Sequence, residues 1–197
     1  MQMTRRLRYT RLKWQAMALL VAGRRAAALE LFGAMLAEFP GDVYAIASRA
    51  HLQAQAGDKR AALQSLGQLV EAEPRDGRHW FNYGFVLEEL GDYGQAEAAF
   101  RRATEVSPEL DRAWYGLGLV LIRLQRFDDA AAALKQNTKL QPMSPYGWYQ
   151  LARVHVDRHE PEEAVKIIRH LKGFEPKVAA QLERETGLRT AQPSLCN

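Results

Sequence analysis

The chain has 197 residues, 47% of them hydrophobic and 25% charged, which is the composition of a globular protein with a sizeable core and excludes a disordered or fibrous chain. Its one cysteine, Cys196, excludes a disulfide framework and a cysteine-based metal cluster, and no stretch approaches the roughly 20 apolar residues of a membrane-spanning helix. The net charge of +4 is unevenly spread: residues 1–29 carry seven bases (Arg5, Arg6, Arg8, Arg11, Lys13, Arg24, Arg25) and no acid, leaving the remainder at −3.

From the N-terminus, the arginines lead into the apolar run Ala16–Ala22, which superficially resembles a secretory signal. The run is only seven residues long and two more arginines follow it, so it reads instead as part of a helix. With Thr4 as N-cap, that helix is expected to reach Ala22. At about 100° per residue, Leu12, Ala16, Leu19 and Leu20 gather on one side, and Leu7, Trp14, Met17, Ala18 and Val21 on a nearly opposite one. The second stripe, rimmed by Arg5, Arg8 and Arg11, is a candidate interface (Leu7, Trp14, Met17, Val21), and a homodimer through it is the expectation. The alternative is that residues 1–8 fold back over the stripe.

Beyond this helix a 34-residue period governs the chain. Prolines fall at Pro40, Pro74, Pro108, Pro142 and Pro176, and alanines at Ala28, Ala62, Ala96, Ala130 and Ala164. A third column holds small residues at Ala16, Ala50, Gly84, Gly118 and Ala152. Within a cycle the pattern is two amphipathic helices. Trp80, Tyr83, Gly84 and Leu87 share one face of the first, and Gly91 marks its end, as Gly23 and Gly57 do in earlier cycles. Ala96, Phe100 and Ala103 line the second, and Pro108 stops it.

The series Trp80, Tyr83-Gly84, Leu87, Ala96, Phe100, Ala103, Pro108 resembles the tetratricopeptide repeat (TPR) signature, and Trp114, Leu117-Gly118, Leu121, Ala130, Leu134, Pro142 is similar to it. The resemblance implies an all-α, right-handed α-solenoid of five TPR helix pairs with a C-terminal capping helix. Residues 1–8 form a basic extension of the first helix. The repeats occupy 9–42, 43–76, 77–110, 111–144 and 145–178, and 179–197 hold the capping helix, read over 177–187, and a loose tail. Large residues are expected beside the small ones, Trp114 with Leu134 and Trp148 with Ile168, since one helix pair cannot bury its apolar face alone. Several positions depart from the signature: Leu12 for Trp, Gln15 where a large apolar residue is usual, Arg49 and Gln53 at half-buried positions, Asn137 for Ala, and His155 for an aromatic residue.

The resemblance also implies that the first helix of each repeat lines a concave face. In the second repeat it would offer Tyr44, Ala47, His51 and Ala54; in the third Arg78, Phe81, Asn82 and Phe85; in the fourth Arg112, Tyr115, Leu119 and Arg123; in the fifth Tyr146, Tyr149 and Arg153. Arginine and aromatic residues are the types that dominate binding energy at protein interfaces. The two-carboxylate clamp of chaperone-binding TPR domains is not reproduced: the equivalent positions are Ala47, His51, Asn82, Arg112 and Gly116, of which only Asn82 and the charge of Arg112 fit.

Catalytic chemistry finds little support. His155 and His159 are four apart but lack a third ligand nearby, and Gly116-Leu117-Gly118 lies mid-helix without a preceding strand. The expectation is a cytoplasmic, non-catalytic scaffold with no metal and no cofactor, binding a peptide or helix of a partner protein. The rival is a peripheral module whose basic N-terminal helix docks on an anionic surface, with nucleic acid the less expected and a membrane surface conceivable but not favoured.

Overall fold

The structure is a computed structural model and describes residues 2–190. Among these residues every regular element is an α-helix. The chain divides into two compact units, Met1–Asp92 and Tyr93–Asn197, with the boundary between the two helices of the third repeat. A solenoid whose repeats touch only their neighbours has no central core to forbid such a division.

The first unit contains α1 (Gln2–Val21), α2 (Arg25–Glu38), α3 (Val43–Gln55), α4 (Lys59–Ala72) and α5 (Gly77–Glu89), each packed on the next. Its core is built on Phe32 and Met35 of α2, Ile46 of α3 and Leu69 of α4, with Leu12 and Ala16 supplied by α1. Helix α1 begins at Gln2, so Thr4 lies inside its first turn and not at its cap position. Residues 2–8 continue the helix and do not fold back over its outer stripe. The N-termini of α3, α4 and α5 are capped by aspartates: Asp42 accepts from the Ala45 N–H at 2.7 Å, Asp58 from Ala61 at 3.0 Å and Asp76 from Arg78 at 2.9 Å.

The second unit contains α6 (Tyr93–Val106), α7 (Asp111–Arg123), α8 (Phe127–Leu140), α9 (Pro145–Asp157), α10 (Pro161–Lys172) and α11 (Pro176–Thr186). Close approach sets its packing. A Cβ on Gly118 would lie 2.7 Å from Leu134 of α8, and one on Gly116 would lie 2.7 Å from the Phe100 ring of α6. Helix α11 buries Ala179 and Leu182 against its neighbours. Residues 188–190, expected to belong to a loose tail, are ordered against the capping helix. Thr190 is buried, and its N–H and hydroxyl both donate to Glu183 Oε1, at 2.9 and 3.0 Å. Residues 188–190 are therefore held against α11, while Cys196 lies outside the described residues.

Two backbone devices recur with the repeat. The first is the turn inside each helix pair, closed by an N–H to C=O bond spanning five residues: Arg24 to Leu19, Asp58 to Gln53, Asp92 to Leu87, Arg126 to Leu121 and Glu160 to His155, all at 2.8–3.0 Å. The residue before each donor has positive φ. It is glycine at 23, 57 and 91, but Gln125 and His159, both at φ 58°, in the last two repeats. The second device is a tryptophan latch. Trp80, Trp114 and Trp148 each donate their indole N–H to the carbonyl of the proline six residues earlier, at 3.0, 2.8 and 2.8 Å.

Gln15 is exposed, and four of the other departures from the signature are each answered by a specific partner. Arg49 donates to Ser65 Oγ at 3.0 Å and to Gln68 Oε1 at 2.6 Å, and the Ser65 hydroxyl donates to Gln53 Oε1 at 2.6 Å. Buried Asn137 donates to the Asp111 carbonyl at 2.9 Å, and its Oδ1 occupies the place where a Cβ on residue 147 would fall, 2.1 Å away. Glycine at 147 is thus the partner of asparagine at 137. His155, only 3% exposed, pairs through Nδ1 with Glu160 Oε2 at 2.7 Å. No buried side-chain polar atom lacks a partner among the described residues.

Two stability outcomes follow from this packing. Gly118→Ala should lower stability by about 1–3 kcal/mol, because Leu134 cannot retreat from a core position without strain. Gln125→Gly should raise it by up to about 1 kcal/mol by relieving the left-handed backbone. Denaturant unfolding of the two variants beside wild type checks both signs.

Candidate partner-binding surfaces

Each unit presents a concavity lined by first helices of repeats. In the first unit, Ala47, Ala50, His51 and Ala54 of α3 face His79, Asn82, Phe85 and Val86 of α5 across a hollow of about 210 Å³ floored by Leu66 and Leu69. Three alanines on one helix face keep the hollow open, and Phe85, 47% exposed, forms its apolar wall. Phe81 stacks on Phe85 with ring centroids 6.4 Å apart and holds it upright. At the rim, Gln55 and His51 share a 2.8 Å hydrogen bond, and the Asn82 amide is exposed.

In the second unit, Tyr115 of α7, Pro145, Tyr146, Tyr149 and Gln150 of α9, and Val178 and Gln181 of α11 surround a hollow of about 280 Å³. Tyr146 is 70% exposed. The Tyr149 hydroxyl donates to Glu185 Oε2 at 2.6 Å, and the Arg153 guanidinium lies 5.8 Å above its ring. The hydrogen bond to Glu185 raises the Tyr149 pKa and lowers that of Glu185, so the pair stays a neutral phenol on a carboxylate.

The arginines expected on the concave face divide. Arg153 sits over Tyr149, whereas Arg78 turns away to Asp76, with Nε at 3.0 Å from Oδ1 and Nη2 at 2.5 Å from Oδ2. Arg112, Leu119 and Arg123 lie on α7 but do not line the hollow. Sequence reasoning missed α11, expected only to cap. Val178, Gln181 and Glu185 fall three and four residues apart, the spacing of one helix face, and that face completes the tyrosine site.

Two further clusters involve titratable groups, the second sharing His79 with the first hollow. His155 is buried on Glu160 while His159 is exposed in its left-handed turn, so the two histidines serve separate local roles. Glu73, Asp76 and His79 bring their ligand atoms within 4.8 Å of one another. His79 Nε2 is 2.9 Å from Glu73 and 3.7 Å from Asp76, and Asp76 already receives the guanidinium and the N–H of Arg78. The arrangement is a hydrogen-bonded turn that anchors the start of α5.

On α1, the inner face is as expected, with Leu12 and Ala16 buried and Leu19 and Leu20 packed on the core. The outer stripe is open: Leu7 is 66%, Trp14 65%, Met17 37% and Val21 91% exposed. Its expected rim changes. Arg8 pairs with Glu38 at 2.6 Å, and Arg5 donates to the Glu38 carbonyl at 3.2 Å and lies 5.1 Å over the Phe39 ring. Both therefore bind the end of α2, where carbonyls without helical partners and an acid attract cations.

The repeat geometry agrees with the comparisons. The family model described as tetratricopeptide repeat matches residues 47–108, 86–145 and 115–173, together most of the chain. The chain belongs to the tetratricopeptide repeat family. Among solved structures, MamA superposes on it with a TM-score of 0.80 at 18% identity, covering 93% of this chain and 98% of that one. YrrB, described as a TPR protein with an unusual peptide-binding site, gives 0.76 at 17% identity, covering 86% and 88%. A thermophilic TPR protein of Thermus thermophilus, TTC0263, gives 0.57 at 25% identity, covering 91% and 97%. These likenesses establish the TPR solenoid as the fold. No match to a curated protein was found. Family and fold together support a protein–protein interaction scaffold.

The turn at Asp76 carries a pH dependence. Hydrogen bonds from Arg78 hold the Asp76 pKa down at about 2, against an ordinary 3.8. A depressed carboxyl pKa stabilises the fold above the unfolded value, and that contribution is lost as pH falls through about 4 towards 2. Asp76→Asn should be less stable than wild type at pH 7, and most of the difference should be gone by pH 2. Circular-dichroism melts across that range test it.

Proposed function

We propose that this protein is a non-catalytic adaptor that takes an extended peptide or a helical segment of a partner protein in its first-helix hollows. The observation that carries this reading is the pair of aromatic-walled concavities, one around Phe85 and Asn82 and the other around Tyr115, Tyr146 and Tyr149. Each couples apolar surface to a polar rim, the combination that lets a side chain anchor while its backbone keeps hydrogen bonds. Phe85 is ordered by Phe81, and Tyr149 by Glu185 and Arg153, so these two anchors lose little side-chain freedom on binding. The peptide-binding site that YrrB's description names adds support from a neighbour of the same fold.

Affinity capture of the intact chain followed by mass spectrometry should identify the partner. For that partner, Phe85→Ala combined with Tyr115→Ala should weaken binding by at least ~2 kcal/mol while the helical signal and melting midpoint hold. Because the hot spots are aromatic, affinity should change little between about 50 and 200 mM salt, concentrations over which phosphate-directed binding collapses by orders of magnitude. Undiminished affinity in a folded double variant would refute the reading.

A further inference from the structure

We infer that α1 is a second, independent docking element, one that lays its outer face on an anionic lipid bilayer. The proposal concerns a surface distinct from the hollows above and does not depend on them. Met3, Leu7, Trp14, Met17, Ala18 and Val21 are all exposed, and by the 100° helical step they fall within an arc of about 100° along a helix about 30 Å long. Thr10, the polar residue inside the arc, donates its hydroxyl to the Arg6 carbonyl at 3.0 Å, so the stripe carries no unanswered hydroxyl. Among the described residues α2 is the one helix that α1 packs closely against, which makes the outer face a ridge and not a groove.

The charges choose the occupant. Arg6 and Arg11 follow at either edge of the apolar arc, one on each flank, and neither has an ion-pair partner among the described residues. The same holds for Arg24 and Arg25, just past the end of α1. Arg5, Arg8 and Lys13 are occupied on Glu38, Phe39 and Tyr44 and belong to the inner side. Helix α1 contains no acid. A second copy brought stripe to stripe would set these arginines against their own kind with no carboxylate in either helix to answer them, which disfavours the homodimer. A bilayer rich in anionic headgroups answers both features at once. The apolar ridge enters the headgroup boundary with Trp14 at its centre, and the flanking guanidiniums meet phosphates without any need for shape complementarity. No described helix is long and apolar enough to cross the membrane, so the association is peripheral.

Co-sedimentation of the full chain with phosphatidylcholine vesicles, with and without phosphatidylglycerol, is the test. Binding is expected to the anionic vesicles only. Arg6→Gln with Arg11→Gln should weaken it about thirty-fold, at roughly 1 kcal/mol per arginine. Trp14→Glu with Val21→Glu should weaken it at least about tenfold. Since both side chains are solvent-exposed, the melting midpoint should not move, and Trp14→Ser, which adds no charge, should weaken binding in the same direction. Equal binding to both vesicle types, or to neither, overturns the proposal. So does light scattering that shows a wild-type dimer at tens of micromolar which Trp14→Glu, Val21→Glu converts to monomer, because the stripe would then be covered by a second copy.

Discussion

Close approach of paired helices at small side chains is the constraint on which the rest of the structure depends. The alanine column at 28, 62, 96, 130 and 164 is wholly excluded from solvent in every repeat. Where the first helix carries glycine, as at Gly118, even one methyl group would collide with Leu134. Helices this close present Phe32, Phe100, Leu134 and Ile168 with nearly no free space, and each of these side chains is completely buried. The turn bond spanning five residues and the tryptophan latch onto the proline carbonyl are the backbone and side-chain corollaries. Both fix where one helix ends relative to the next, so that the small residues meet.

That constraint also explains how polar residues enter the core without loss of order. Asn137 occupies an alanine position only because residue 147 is glycine and because the Asp111 carbonyl accepts from its amide. Arg49, Gln53, Ser65 and Gln68 form one connected set of hydrogen bonds, and His155 is answered by Glu160, which also holds Arg158 at 3.0 Å. Each of these polar residues comes with a compensating partner, as expected where an unsatisfied buried group costs more than a satisfied one gains.

Outward-facing chemistry follows the same division of labour. The arginines that look most like ligand-binding residues by type are partly spent inside the fold: Arg78 steadies the cap of α5, Arg126 bridges Glu97 and Asp129, and Arg8 closes the end of α2 on Glu38. What remains on the surface is mainly aromatic and apolar, Phe85 in one hollow, three tyrosines in the other, and the ridge of α1. All of them stand on helices, which hold their side chains in defined positions.

The 34-residue spacing of proline, alanine and small residues determined the helix pairs, their boundaries to within a few residues and the inner face of α1, because periodic burial leaves a periodic imprint on residue type. The sequence also carried the candidate aromatic residues Phe85, Tyr115, Tyr146 and Tyr149. Tertiary structure alone decided which of the surrounding groups join them. Whether Arg78 faces a ligand or Asp76, whether Arg5 and Arg8 rim a stripe or cap α2, and whether α11 only covers an end or also supplies Val178, Gln181 and Glu185 to a site all depend on the rotamer and distance of long, flexible side chains. The turn at Gln125 and His159 belongs to the same class. The bond closing it is set by the helix that precedes it, so the left-handed backbone persists where glycine, its usual marker in sequence, is absent.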